Sequence, residues 1–191
     1  MVIEGIITTE NQDGSMHLAP IGPHVDQELT TWVLRPFQTS ISFANLRIHN
    51  RGVFHVTDDS LLMAAAVLGL CTNSSNADIQ SAVKAQCDPT QGWVLEQCCR
   101  SFALTVREWD VSQPRAVAYC ELQRQREQRP FWGWNRAANS ILELSILASR
   151  RHMVDRQVLV DEMDRHRIII EKTAGPRELA AWELLKAHLS Q

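Results

Sequence analysis

The sequence predicts a mainly β protein of the α+β class, with strands through its first two thirds and helices at its end. Three observations carry that expectation. Short β-branched and aromatic runs, separated by Gly, Pro and Asp turns, fill residues 2–59 and 101–125. An Ala- and Leu-rich stretch, Leu61 to Leu70, interrupts them. From Asn135 onward, apolar residues recur at helical spacing.

In chain order, Val2 to Thr9 reads as the first strand. Asn11-Gln12-Asp13-Gly14 is a hairpin turn in which glycine supplies the positive φ, so His17 to Pro20 runs back antiparallel. Glu28 to Leu34 is a third strand. Thr39 or Ser40 caps a short helical segment, Ile41 to Ile48, in which Phe43, Asn45 and Leu46 share a turn. A further strand covers Gly52 to Asp59 and is buried by composition at Val53 to Val56.

Leu61 to Leu70 is helical, with Gly69 as its stop signal. Thr72 to Ala77 is a polar loop, Asp78 to Gln86 a short helix, and Asp88 to Gly92 a turn. Alternation from Ser101 to Asp110 gives a strand. Val111 to Pro114 turns the chain, and Arg115 to Gln125 returns beside it. Asn135 caps a helix, Arg136 to Arg151, with Ala137, Ile141, Leu144 and Ala148 in one stripe. A second helix, Arg156 to Ile169, sets Leu159, Met163 and Ile170 on one face. The third opens at Gly175-Pro176 with Glu178 in its first turn, and runs through Leu179, Trp182, Leu185 and Leu189.

At 191 residues and 45% hydrophobic content, the chain can bury one substantial core. No apolar run approaches the roughly 20 residues of a bilayer helix, and the start lacks a basic signal-peptide region. A cytoplasmic protein with no membrane segment is expected. The net charge of −3 gives no reason to expect nucleic acid, and the arginines between Arg124 and Arg136 are mixed with Glu and Gln, as on a solvated strand end. Five cysteines, odd in number and without zinc-ligand spacing, argue against a disulfide framework; Cys98-Cys99 reads as a reduced pair entering a strand. Seven histidines show no ligand spacing on a clear helix, so no metal site is expected. The absence of Gly-x-Ser-x-Gly, P-loop and Gly-x-Gly-x-x-Gly motifs sets aside hydrolase, nucleoside-triphosphatase and Rossmann readings.

Two segments combine into a ligand pattern. Arg35, Gln38, Thr39 and Ser40 stand at a helix start, which brings side-chain donors and free N–H groups together, as a phosphate dianion requires. The run His17, Leu18, Ala19, Pro20, Ile21 and Gly22 leaves a strand with open backbone groups, as the edge of a planar heterocycle requires. Flavin mononucleotide (FMN) makes both demands. Taken singly, Thr39-Ser40 is most often a mere cap and Asp13-Gly14 a mere turn; their order is more telling.

Thr39-Ser40, Asn45-Leu46 and Gly52-Val53-Phe54-His55-Val56 resemble the Thr-x-x-Asn-Ile…Gly-x-Phe-x-Val-Asn pattern of flavin-reductase-like proteins of the FMN-binding split β-barrel. The whole chain is similar to one branch of that superfamily, the domain of unknown function 447 group. Shared segments are Ala19-Pro20-Ile21-Gly22, Arg35-Pro36-Phe37, and Asn135-Arg136-Ala137 with Glu143. The resemblance implies a Greek-key-like split barrel of six strands over residues 1–130, with a helical insertion near 60–90. Residues 131–191 would pack on it as helices, in one structural unit. It also implies a homodimer with FMN at each end of the interface. Arg35, Thr39, Ser40 and Asn45 would hold the phosphate, and His17 to Gly22 would lie along the ring. The aromatic cluster Phe131-Trp132-Gly133-Trp134 would pack helix to barrel, or else Trp132 or Trp134 would cover the flavin of a second copy. Glu143 would pair with Arg136 or Arg151, or serve as a carboxylate near the flavin.

Three functions follow. The first is an FMN-dependent oxidoreductase using NADH or NADPH, with no dedicated catalytic side chain because the flavin carries the chemistry. The second is a non-catalytic FMN carrier or redox sensor, and the third a partner-binding barrel. His55 stands where flavin reductases often have Val or Asn, and their nicotinamide-associated Gly and His signals are not evident downstream.

Overall fold

The structure is a computed structural model describing residues 1–72 and 74–191; Asn73, within the expected polar loop, lies outside them. The chain divides into two compact units, Met1–Thr57 with Val83–Pro130, and Asp58–Ala82 with Phe131–Gln191. The helices expected as an insertion in the barrel thus group with the C-terminal helices.

The first unit carries β1 (Gly5–Glu10), β2 (Met16–Ile21), β3 (His24–Val25), β4 (Thr31–Leu34), α1 (Ile41–His49), β5 (Arg51–Val56), β6 (Ala85–Asp88), β7 (Gly92–Leu95), β8 (Arg100–Asp110) and β9 (Val117–Glu127). The first hairpin forms as the sequence predicts: Gly14 has φ +81°, and Thr9 faces His17 while Ile6 faces Pro20. The main sheet has the order β2-β1-β5-β8-β9-β4-β3. Its two ends are halves of one strand. Val2 faces His24 in the register that pairs Gly5 with Ile21, and Val25 exchanges backbone hydrogen bonds with Met1. The strand bends at Gly22-Pro23, pairing first with β1 and then with β4, so six strands close into the expected split barrel. Gly22 permits the bend, since a Cβ there would sit 2.8 Å from Val2 Cγ1.

Several strand and helix limits differ from expectation. The strand expected from Glu28 begins at Thr31. Asp26 explains this: its carboxylate accepts N–H bonds from Thr30 (2.7 Å) and Thr31 (3.2 Å), closing a loop in which Leu29 takes φ +57°. β5 ends at Val56 and not Asp59, because Asp59 caps the next helix. The helix expected over Asp78–Gln86 stops at Ala82, and Ala85–Asp88 pairs with Gly92–Leu95 as a hairpin.

The barrel core is built round Trp32, Phe54 and Phe102, all fully buried, with Trp32 centred 4.7 Å from Phe102 and 5.6 Å from Phe54. Trp32 Nε1 donates to the Leu29 carbonyl at 2.8 Å, so its burial leaves no donor unpaired. His55 is likewise fully buried. Its Nε2 accepts from the Leu95 N–H (3.1 Å), which assigns the proton to Nδ1, 3.4 Å from the Ile6 carbonyl. Burial pushes its pKa down to about 3, and the neutral ring ties β7 to the barrel wall.

The second unit contains α2 (Ser60–Val67), α3 (Ala77–Ala82), α4 (Arg136–Ser149), α5 (Arg156–Thr173) and α6 (Pro176–Leu189). Asp59 caps α2, accepting from the N–H groups of Leu61 and Leu62 (both 3.1 Å), and also binds Arg177. Gly69, with φ +69°, ends α2: its N–H reaches Ala66 and that of Leu70 reaches Ala65. Asn135 caps α4 as expected, and Ala137, Ile141, Leu144 and Ala148 are buried as its inner stripe. α4 ends at Ser149, followed by a short 3-10 turn, while α5 continues one turn past Ile169. Glu178 closes the start of α6 through the Gly175 N–H, 2.9 Å away.

Among the described residues, no helix is long and apolar enough to cross a membrane, and no group of three or more His, Cys, Asp or Glu side chains is placed to hold a metal ion. Cys98 and Cys99 are buried and unbridged; burial raises the Cys98 pKa to about 12, which removes it from thiolate chemistry near neutral pH.

Candidate functional site

The start of α1 is set by Ser40, whose hydroxyl donates to the Phe37 carbonyl (2.8 Å) and accepts from the Phe43 N–H (3.1 Å). Ser40, not Thr39, is therefore the cap. Ala44 closes the first backbone bond to Ser40, which leaves the N–H groups of Ile41 and Ser42 as the donors the cap does not use. Thr39 and Arg35 are exposed, and Arg35 makes no ion pair among the described residues.

Two of the expected phosphate residues are occupied by the fold itself. Gln38 spends its amide hydrogens on the carbonyls of Val111 (3.0 Å) and Gln113 (2.7 Å), fixing the loop before α1 to the β8–β9 turn. Asn45 is 5% exposed and donates to Thr9 Oγ1 (3.1 Å) and Asn11 Oδ1 (2.8 Å), locking α1 onto the first hairpin.

On the other side lies β2, which among the described residues pairs only with β1, so its outer edge carries open backbone groups from Met16 to Ile21. Pro20 suits this edge because it has no N–H to leave unpaired. Leu18, Ala19 and Ile21 are half-buried along it, and Gly22 starts the bend. His17 Nε2 stands 3.1 Å from Ser42 Oγ. The His17 side chain thus brings β2 and the helix start together within one barrel. Burial lowers the His17 pKa, so its ring is neutral at neutral pH and can either donate to or accept from Ser42. Ser42, buried on α1, was absent from the sequence-derived set. Its only sequence signal is a hydroxyl two residues inside a capped helix.

Trp132 belongs to the helical unit, where it and Trp134 are 87% and 89% exposed. Phe131 meets Trp134 edge to face at 5.8 Å. Glu143, exposed on α4, forms no ion pair with Arg136 or Arg151; Arg151 instead donates to the His188 carbonyl.

No curated protein matches the chain. Solved structures do. The chain is similar to the crystal structure of an FMN-bound protein from Methanosarcina mazei that carries the DUF447 family model. That match has a TM-score of 0.78 and 18% identity, and covers 98% of this chain and 94% of the other. An FMN-binding protein from Thermus thermophilus, crystallised with 1-cyclohex-2-enone, matches at TM-score 0.52 and 9% identity over 66% of this chain and 70% of that one. The styrene monooxygenase flavin reductase of Pseudomonas putida S12 matches at TM-score 0.52 and 8% identity, over 67% and 82%. These likenesses establish the flavin-reductase-like split-barrel fold. Residues 3–129 match the N-terminal domain of the family described as "Protein of unknown function (DUF447)", and residues 135–187 match its second part, so the chain belongs to the DUF447 family.

Proposed function

We propose that this chain is an FMN-binding flavoprotein and that its bound flavin serves an oxidoreductase reaction. The observation that carries the reading is the 3.1 Å approach of His17 to Ser42, which joins a donor-rich helix start to β2, the strand whose outer edge is open. The similar Methanosarcina mazei structure was solved with FMN, which supports the same ligand here.

The residues fit the cofactor in a specific division of labour. Arg35 and Thr39 supply exposed side-chain donors, and Ile41 and Ser42 supply backbone N–H groups at a helix start, where the helix dipole also favours a dianion. Gln38, Ser40 and Asn45 act by holding that segment in place. His17 to Gly22 offers backbone groups and half-buried apolar side chains to the ring. Trp132, held out from the helical unit, is the side chain we assign to the flavin of a second copy in a homodimer. FMN, when bound, supplies hydride and electron transfer. The role of His17 is to hold Ser42 and the α1 start beside β2.

The visible absorption spectrum of the purified protein, followed by anaerobic addition of NADH or NADPH, tests the reading. Flavin bands that bleach faster than those of free FMN are expected. A protein that takes up FMN but bleaches no faster would be the carrier or sensor; one that takes up none would be neither.

A further inference from the structure

Helices α4 and α5 flank an open, solvent-facing groove of about 220 Å³ lined by Arg136, Asn139, Ser140, Glu143, His166 and Ile169. The four α4 residues recur at i, i+3, i+4 and i+7, so they form one stripe, with the Cα atoms of Arg136 and Glu143 about 10 Å apart. Neither charge is paired: among the described residues, no ion pair within 4.0 Å involves Arg136 or Glu143. Facing them from α5 is His166, only 8% exposed, whose buried Nδ1 has no hydrogen-bond partner and whose Nε2 lies 3.5 Å from Glu162. Buried polar atoms of folded proteins are almost always paired, so an orphan ring nitrogen beside two unpaired opposite charges marks a place prepared for something else.

The chemistry of the lining selects the occupant. A simple anion would meet Glu143, and a simple cation would meet Arg136. Equal and opposite charges at the two ends of a stripe suit a molecule that carries both. Asn139 and Ser140 lie between them and can hydrogen-bond an amide, while Ile169 offers an apolar contact. The volume equals that of about seven waters in the liquid, which is the scale of an amino acid or dipeptide. We propose that this groove binds a small zwitterion, a free α-amino acid or dipeptide, with its carboxylate on Arg136 and its ammonium on Glu143. The proposal stands independently of the flavin reading.

Thermal unfolding of the full chain with each of the twenty free amino acids, glycylglycine and alanylalanine tests it. At about a hundredfold excess over Kd, at least one probe is expected to raise Tm by about 5–10 °C. Arg136→Gln and Glu143→Gln change exposed side chains, so both variants keep the ligand-free Tm. Each lowers affinity about tenfold or more by removing a charged contact. The best probe loses its effect when its amine is acetylated or its carboxylate amidated. No shift with any probe overturns the proposal, as does a shift that persists in both variants. A shift abolished by FMN also overturns it, because the groove would then belong to the flavin.

Discussion

His17 on β2 and Ser42 on α1 meet at 3.1 Å, and this contact holds the start of α1 beside β2, the two parts of the proposed FMN seat. Around it, Asn45 fixes α1 to Thr9 and Asn11, and Gln38 fixes the preceding loop to the β8–β9 turn. The side chains that position the seat are thus separate from those left open in it. That division yields different expectations for residues only a few positions apart.

Asn45→Ala removes two hydrogen bonds and leaves Thr9, 2% exposed, without its amide donor. The expected cost is about 2 kcal/mol of stability in the flavin-free protein. Urea unfolding reads it as a lowered midpoint at unchanged slope. Thr39→Ala, at an exposed position with no cap role, leaves the midpoint where it was. Equal midpoints for the wild type and Asn45→Ala would contradict the positioning role.

The buried His55 makes the barrel acid-sensitive. Its pKa is about 3 in the fold against 6.5 unperturbed, so the unfolded chain takes up the proton first as pH falls. Stability is complete above pH 6.5 and drains away from there toward pH 3, by up to about 1.4 kcal/mol per pH unit. His17, His166 and His188 are shifted in the same direction by burial and add to the slope. Urea midpoints at about pH 7.5 and about pH 5.5 should differ in the wild type and differ less in His55→Asn. An identical pH slope in the two proteins would remove His55 from this account.

Gly5 is where the barrel tolerates no side chain. A Cβ there would press on the His55 carbonyl and lie 2.5 Å from Phe54 Cζ, both in the packed wall. Gly5→Ala is expected to cost about 3 kcal/mol or more, as overpacking of a rigid core does. Gly14→Ala meets no atom within 4 Å and suffers only from its φ of +81°, a penalty of about 1 kcal/mol. Comparing the two melting temperatures separates crowding from backbone strain. A Gly5→Ala protein as stable as the wild type would show that the wall can yield there.

Much of this fold was legible because its signals are local. Asp13-Gly14 announced the first hairpin, Asn135 and Pro176 opened their helices, and Gly69 closed one. The β6–β7 hairpin was not legible. Ala85, Gln86, Cys87 and Asp88 have no β-branched residue, and their strand form comes from pairing with β7. β7 is in turn held by the Thr8 hydroxyl on the Trp93 carbonyl and by His55 on Leu95. The turn at 88–92 followed by Trp93-Val94-Leu95 was the clue available. In the candidate site, the start of α1 followed from sequence, whereas the structural duties of Gln38 and Asn45 depend on residues 34 to 75 positions away that no spacing pattern reveals.

The most direct measurement is a titration of FMN with the purified protein, read by quenching of flavin fluorescence, beside the same titration of Arg35→Ala. Saturable binding is predicted for the wild type. Arg35→Ala should bind about tenfold to hundredfold more weakly, the loss of one charge-assisted phosphate contact, with no change in melting temperature. Absence of saturable quenching by the wild type, or equal affinities in the two proteins, would contradict a phosphate seat at the start of α1.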